Sequence, residues 1–221
     1  MAISQIPSHG SAAIMYTRYN KIAMSVSILL MFISTTAFAH HPMEGETPTT
    51  YIQGLLSGLA HPILGADHLA FIIGVGIVFG LGVARPFISS IAMLIALSVG
   101  TLLSWNGTIL PFIETIVALT VIAIAANIVF RPQAMGFVAW AIAAAAFCHG
   151  QAFGVAIIGA EPTPLASYLV GLSIVQIAMA STIYYLTTKV AARSTTQLRV
   201  LTAGGGAALG IAGVLFAVLS V

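Results

Sequence analysis

Long apolar stretches, each close to the length of one bilayer crossing, fill most of the chain after residue 49. Turn-forming sequences divide them into six predicted spans, over residues 50–84, 87–104, 109–130, 134–155, 165–188 and 199–220. Only 5% of the 221 residues carry a formal charge, compared with about 25% in soluble domains. Stretches of about 20 residues favour helices over the shorter alternating strands of a membrane barrel. The sequence therefore predicts an all-α integral membrane protein with six transmembrane helices.

The positions of Lys and Arg predict how these spans are oriented. Downstream of the N-terminal segment, basic residues occur only after the first, third and fifth spans, at Arg85, Arg131, Lys189, Arg193 and Arg199. Because basic loops face the cytoplasm, both termini are predicted to lie outside it, in a multi-pass protein of the inner membrane. The net charge of +2, without a basic patch, argues against nucleic-acid binding.

Residues 1–39 have the pattern of a cleavable signal peptide. A positively charged start, a short apolar stretch and the small-residue cleavage site Ala37-Phe38-Ala39 follow one another there. An uncleaved N-terminal anchor is the alternative. Cleavage would leave residues 40–49 as a periplasmic segment and residues 50–221 as the membrane domain.

Residues that can attract a cation lie at the predicted outer surface. The periplasmic segment begins with His40 and His41 and contains Glu44 and Glu46, and Glu161 lies in the last outer loop. Imidazole and carboxylate groups are ligands for divalent cations. We therefore predict His40, His41 and Glu161 as residues for metal capture.

Ionisable side chains are rare inside the predicted spans: His61, Asp67, His68, Glu114 and His149. Such groups are costly in a bilayer, and no Lys or Arg within the spans pairs with them. Imidazole and carboxylate ligands without thiolate suit Ni²⁺, Co²⁺ or Zn²⁺. The topology puts His61, Glu114 and His149 toward the outer side, so we expect these groups to converge on one cation site open to the exterior. Histidines that serve only as hydrogen-bonded core residues are the alternative.

The segment from His61 to His68 reads His-Pro-Ile-Leu-Gly-Ala-Asp-His. Pro62 removes a backbone donor and disfavours helix at His61, and the following glycine weakens the helix further. We therefore predict that the first span is broken at His61-Pro62, into half-helices over 50–61 and 66–84. On a straight helix the two histidines would stand about 10 Å apart, too far to bind one ion, whereas a break brings them together. A kinked core helix without a binding role is the alternative.

Glycines four residues apart occur in several spans, for example Gly54 with Gly58 and Gly150 with Gly154. This spacing predicts close helix packing in a tight bundle and carries no chemistry of its own. Two amide side chains, Asn127 and Gln176, lie in the inner halves of their spans. They are candidates for an ion exit path, with structural hydrogen bonding as the alternative.

Two motifs resemble those of the HupE/UreJ family of nickel/cobalt permeases. His61, five residues and then Asp67-His68 are similar to the family's HX5DH motif. Residues 147–156 resemble a second motif, Phe-His-Gly-x-Ala-x-Gly-x-Glu, with Cys148 inserted before the histidine and Ala156 where the glutamate is expected. The N-terminal signal, the histidines after it and the six spans are also similar to the family.

The resemblance implies a secondary transporter, or permease, for uptake of Ni²⁺ or Co²⁺ from the periplasm, with the metal as cargo and no prosthetic group. It implies His61, Asp67, His68 and His149 as metal-binding residues. Glu114 is added only because of its burial and depth. The expected partners are a divalent metal ion and the lipid bilayer. A homo-oligomer is left open, as are the choice between nickel and cobalt and the replacement of the missing glutamate by Glu161.

An intramembrane zinc-dependent hydrolase, in which His and Asp activate a water, is the competing function. The chain lacks the HExxH pair and the GxSxG turn on which many hydrolases are built. It also lacks a Walker A motif, so ATP hydrolysis within this chain is not expected to drive transport. We therefore expect a permease rather than an enzyme.

Overall fold

The structure, a computed structural model, describes residues 47–82, 84–130 and 135–220. Within these ranges the chain is helical and contains no strand. A π-helical turn over Leu201–Gly205 joins the last two of the following helices: α1 Tyr51–Leu64, α2 Ala66–Gly80, α3 Pro86–Trp105, α4 Ile113–Phe130, α5 Met135–Val155, α6 Pro162–Arg193, α7 Thr195–Val200 and α8 Gly206–Leu219. The predicted signal peptide and the predicted capture residues His40 and His41 lie outside the described residues.

Among the described residues, five helical units are long and apolar enough to cross a membrane: α3, α4, α5, α6 and the continuous run from α7 to α8. The sixth is the pair of α1 and α2, which meets the same criterion only when its two helices are taken together and is bent by 77°. The predicted all-α membrane architecture is thus confirmed, with the bent pair as its first span.

The bend between α1 and α2 lies three residues beyond the predicted break. α1 begins at a capping box formed by Thr50 and Gln53 and continues through Pro62 to Leu64. The N–H of Gly65 still donates to a carbonyl of α1, at 2.9 Å, before the chain leaves the helix. The predicted division of the first span into two half-helices is therefore confirmed, with the bend at Gly65 rather than at His61-Pro62 because α1 continues three residues further than expected. Pro62 lies in the last turn of α1, where it removes one backbone hydrogen bond without ending the helix.

Gly65 forms the bend because of what packs against it. A Cβ at this position would lie 2.6 Å from Cδ2 of His68, closer than two carbon atoms can approach. The imidazole of His68 can therefore fold back over the bend only when residue 65 has no side chain. The φ of Gly65 is −75°, which any residue can adopt, so packing rather than backbone freedom requires the glycine.

Two side-chain hydrogen bonds join the segments at the end of the bundle where α1 and α6 begin. Trp105 Nε1 donates to the carbonyl of Ala160 at 3.0 Å, and Thr47 Oγ1 donates to the carbonyl of Ile158 at 3.4 Å. We call this the histidine end, because the buried histidines lie nearest to it. The opposite end, which contains Arg85 between α2 and α3, is called the arginine end.

Glycines hold two pairs of helices in backbone contact. A Cβ at Gly58 would collide with the carbonyl of Tyr168, so α1 lies directly on α6. A Cβ at Gly150 would collide with the carbonyl of Leu97, so α5 lies directly on α3. α2 also lies on α6, since a Cβ at Gly76 would be 3.0 Å from a backbone carbonyl of that helix. The close helix packing predicted from the glycine spacing is confirmed.

Candidate metal site

Three imidazole rings meet at the junction of α1, α2 and α5. His61 lies in the last turn of α1, His68 in the first turn of α2 and His149 six residues before the end of α5, and all three are buried. The ring centroids of His61 and His68 are 5.7 Å apart, and those of His68 and His149 are 5.0 Å apart. The bend at Gly65 thus brings together two histidines that a straight helix would separate by about 10 Å.

The imidazoles of His68 and His149 are joined through their Nδ1 atoms, which are 2.8 Å apart. The other ring nitrogen of His149, Nε2, lies 2.9 Å from Oγ1 of Thr120 on α4. Thr120 Oγ1 in turn donates to the carbonyl of Val117 at 2.7 Å. Both nitrogens of His149 are therefore engaged, and a chain of hydrogen bonds runs from α2 through α5 to α4.

Asp67 places its carboxylate beside His68. Oδ1 accepts a hydrogen bond from the backbone N–H of His68 at 2.8 Å and lies 4.0 Å from Nε2 of the same residue. The side chain of Asp67 is 14% exposed, whereas that of His68 is 2% exposed. A carboxylate in the first turn of a helix is stabilised by the N–H groups and the dipole there. The start of α2 therefore orients this carboxylate beside the imidazoles.

Phenylalanine side chains enclose the imidazole cluster. The ring of Phe71 stacks on that of His149, with centroids 4.1 Å apart. The ring of Phe153 lies 5.2 Å from that of His61 and 4.2 Å from that of His68. Such walls keep bulk water away from the ring nitrogens, so an ion that reaches them interacts with the protein in a medium of low polarity.

Tyr168 on α6, which is fully buried, is a hydrogen-bond partner of His61. Its hydroxyl lies 3.1 Å from Nδ1 of His61 and donates to the carbonyl of Phe153 at 3.0 Å. The sequence indicated neither Tyr168 nor Thr120, because hydroxyl groups are common in apolar helices and these contacts join residues 107 and 29 positions apart.

The two glutamates that the sequence indicated lie outside this hydrogen-bond network. Glu114 lies in the first turn of α4, six residues before Thr120 and about 9 Å from it along the helix axis. Within the described ranges no hydrogen bond or ion pair joins Glu114 to the imidazoles. Glu161 is exposed at the N-cap of α6. Ala156, at the position of the motif's glutamate, lies in the turn after α5 and offers no carboxylate.

The side chains as placed do not form a closed metal shell. In the described part of the chain, no group of three or more His, Cys, Asp or Glu side chains has an arrangement that could hold a metal ion. His68 and His149 direct their Nδ1 atoms at each other, so these two nitrogens do not face a common ion. The structure brings three imidazoles and one carboxylate together, and coordination of a cation by them stays a prediction.

Gln151, within the second motif, has a structural role. Its Nε2 donates to the carbonyls of Gly100 and Thr108 at 3.3 and 3.2 Å, and its Oε1 accepts from the N–H of Leu110 at 2.9 Å. These bonds tie α5 to α3 and to the connection between α3 and α4. Cys148, also in the motif, is half-buried and packs against apolar side chains of α4 and α5. The hydrogen bonds of Gln151 thus fix the part of α5 that carries His149.

Comparison of the amino-acid sequence with known proteins places the chain in a family. A family model described as HupE / UreJ protein matches residues 28–216, which is most of the chain. This chain belongs to the HupE/UreJ family. Protein HupE of Rhizobium leguminosarum bv. viciae is 29% identical over 140 residues, which cover 62% of this chain and 69% of that protein. No solved structure matches this member of the family. The resemblance predicted from the motifs is therefore confirmed.

Proposed function

We propose that this HupE/UreJ protein is a secondary transporter that takes up Ni²⁺ or Co²⁺ from the periplasm across the inner membrane. The observation that carries the proposal is the meeting of His61, Asp67 and His68 at a bend between two helices that together are apolar enough to span a membrane. Discontinuous helices at membrane depth are a recurrent device for binding transported cations. Membership of the family supports the same function.

The donor set suits a borderline divalent cation. Imidazole nitrogen and carboxylate oxygen are good ligands for Ni²⁺ and Co²⁺ and discriminate weakly between them. Neutral imidazoles with one carboxylate offset the loss of hydration and leave the bound ion with net positive charge. Such a site binds firmly enough to receive the ion and weakly enough to release it, as conduction requires.

The membrane potential provides a driving force for uptake. Moving one elementary charge across 100 mV is worth about 2.3 kcal/mol, so a divalent cation gains about twice that on moving inward. The chain has no Walker A motif, and this electrical energy requires none. With the arginine end in the cytoplasm, as the positions of Lys and Arg predict, the ion moves from the histidine end to the arginine end.

Capture of the ion is assigned to the outer surface. His40 and His41 follow the predicted signal peptide, and Glu161 is exposed at the N-cap of α6. These groups raise the concentration of cations near the bundle, because exposed imidazoles and carboxylates bind divalent ions weakly and reversibly. The ion then exchanges its hydration for the ligands at the bend.

Uptake of radioactive nickel or cobalt by cells that express the chain tests the transport function. We expect His61→Ala and Asp67→Asn to reduce uptake to the level of cells without the protein, because the first removes a donor nitrogen at the bend and the second removes the negative charge of the carboxylate. The matched control is Gln197→Ala, which changes an exposed side chain near the arginine end and should retain full uptake.

The amount of each variant in the membrane is measured by immunoblotting, so that a loss of uptake is not confused with a loss of protein. Uptake at the wild-type rate by His61→Ala and Asp67→Asn would contradict the proposed site. Hydrolytic turnover by the purified protein, without uptake by cells, would favour the zinc-dependent hydrolase instead.

A further inference from the structure

The hydrogen bonds of Tyr168 determine which nitrogen of His61 carries the ring proton. The phenolic hydroxyl has one hydrogen and lies 3.0 Å from the carbonyl of Phe153 and 3.1 Å from Nδ1 of His61. Because a carbonyl can only accept, both contacts are hydrogen bonds only if the hydroxyl donates to Phe153 and accepts from Nδ1–H of His61. A neutral His61 then has its lone pair on Nε2.

The same reasoning applies to the hydrogen bonds of Thr120. Its single hydroxyl hydrogen is donated to Val117, so Nε2–H of His149 must donate to Thr120 Oγ1. Nδ1 of His149 then has a lone pair and accepts from Nδ1–H of His68. His149 contacts Phe71, Thr120 and His68, none of which is negatively charged, so the neutral ring is the form suited to this burial.

His61 and His68 therefore share one arrangement. Each donates from Nδ1 to a buried acceptor and has its lone pair on Nε2. Nε2 of His68 is 4.0 Å from Oδ1 of Asp67, which is too long for a hydrogen bond but allows one ion to contact both atoms at about 2.1 Å. Histidines that bind metals are commonly held in this way, with the other ring N–H donated to a neighbouring group.

We propose that His149, Tyr168 and Thr120 are positioning residues, which hold His61 and His68 in the Nδ1–H tautomer and so direct their Nε2 atoms to the transported cation. His149 supports His68 and is not itself a ligand, in contrast to the role that its motif implied. The identity of the cation rests on the proposed function, whereas the tautomers can be measured without any metal.

Nitrogen NMR of the full chain labelled with ¹⁵N-histidine measures the tautomers directly. In metal-free protein we expect His61 and His68 as Nδ1–H forms and His149 as the Nε2–H form. Tyr168→Phe removes the acceptor of His61 and should shift that residue toward the Nε2–H form. The matched control, Tyr184→Phe on the same helix, should leave the His61 signals unchanged.

A second pair of variants tests the other half of the proposal independently of Tyr168. Thr120→Val removes the acceptor of His149 and should change the tautomers of both His149 and His68, while Thr120→Ser keeps a hydroxyl and should restore the wild-type spectrum. Thr101→Val removes a buried hydroxyl that bonds within its own helix, and it should have no effect. An Nε2–H form of His68 in the wild type, or unchanged signals in Thr120→Val, would overturn the proposal.

Binding of Ni²⁺ to the purified chain tests whether His149 is a positioning residue or a metal ligand. Loss of an outer hydrogen-bond partner typically weakens metal binding by about 10- to 100-fold, and we expect this for Tyr168→Phe and Thr120→Val. His149→Asn keeps an acceptor oxygen near the position of Nδ1, whereas His149→Leu does not. Affinity should therefore be largely recovered in the asparagine variant. Equal losses in both variants would overturn the assignment of His149 as a positioning residue.

The absorption spectrum of bound Co²⁺ gives a further readout, because it depends on the ligands of the ion. It should be unchanged in His149→Asn and altered in His61→Ala. The failures of the two proposals are also distinguishable. If the tautomers respond to the variants as expected but the chain takes up no metal, the positioning roles stand and the transport function is rejected. If uptake needs His61 but the tautomers do not respond to Tyr168→Phe, the transport function stands and the positioning roles are rejected.

Discussion

The histidine cluster and the region around Gln176, deeper in the bundle, differ in whether their buried polar side chains have hydrogen-bond partners. At the cluster, the nitrogens of His149 and the hydroxyls of Tyr168 and Thr120 all have hydrogen-bond partners. Gln176 lies eight residues beyond Tyr168 on α6, or about 12 Å along its axis. It is 1% exposed, yet neither atom of its amide has a partner among the described residues. The first region is fixed by its own hydrogen bonds and the second is not.

For the proposed transport function, the two regions lie in the order that passage of an ion requires. An ion must be bound where it exchanges its hydration and must then meet groups that hold it less firmly. A fixed cluster followed by a single amide fulfils both conditions. Asn127, the other residue predicted for the exit path, donates instead to the carbonyl of Ala123 in its own helix at 2.8 Å. Gln176 is therefore the better candidate for transient contact with a moving ion.

Metal affinity should separate the two regions most strongly. His68→Ala removes a proposed ligand and the partner of His149, so we expect the affinity of the purified protein for Ni²⁺ to fall by about 100-fold or more. Gln176→Leu should change it by less than about twofold, because the amide is about 12 Å deeper than Tyr168. Isothermal titration measures both values. Similar losses in the two variants would mean that the regions form one site.

Two glycine variants should show a smaller difference in Ni²⁺ affinity between the two regions. Gly65→Ala would place a Cβ 2.6 Å from Cδ2 of His68 and displace the ring, so we expect about a tenfold loss of Ni²⁺ affinity. Gly76→Ala would place a Cβ 2.6 Å from Cβ of Ile183, at the deeper level, and should lower thermal stability without changing affinity. Gly136→Ala, with no atom within 4 Å of its new Cβ, is the control for both measurements. Unchanged affinity in Gly65→Ala would argue against a binding role for the bend.

The smallest difference between the two regions is expected in the free energy of unfolding, which should fall for a variant in the cluster and not for a variant at Gln176. Thr120→Val leaves the Nε2–H of His149 buried without an acceptor, which should lower the free energy of unfolding by about 1 kcal/mol or more. Gln176→Leu replaces an amide without a partner by an apolar side chain and should leave that free energy equal or slightly higher. Denaturation in detergent micelles measures both. A loss in Gln176→Leu as large as that in Thr120→Val would show that the amide is satisfied and would remove the contrast.

Much of the architecture was predictable, because a bilayer imposes simple requirements on sequence. Spans must be about 20 residues long and apolar, so their number and approximate limits follow from hydropathy. Pro62 and the glycine after it predicted a break between His61 and His68, and the cost of ionisable groups in a membrane indicated that the two histidines meet there. The rings of His61 and His68 do lie 5.7 Å apart at a bend.

Other features depend on three-dimensional packing and could not be predicted. The bend is at Gly65 rather than at Pro62, because the deciding contact is between residue 65 and the ring of His68. The partners of the histidines, Tyr168 and Thr120, lie on helices whose arrangement the sequence does not specify. A hydroxyl in an apolar span gives no signal of its own, since it can bond to its own helix.

The glycine contacts divide the bundle mechanically. Since α1 and α2 both lie on α6, the hydrogen bond between His61 and Tyr168 joins helices that are already in backbone contact. The hydrogen bond between His68 and His149 joins this group of helices to a second group, made of α5 and α3. Under the proposed transport function, a displacement of one group relative to the other would act directly on this imidazole–imidazole hydrogen bond.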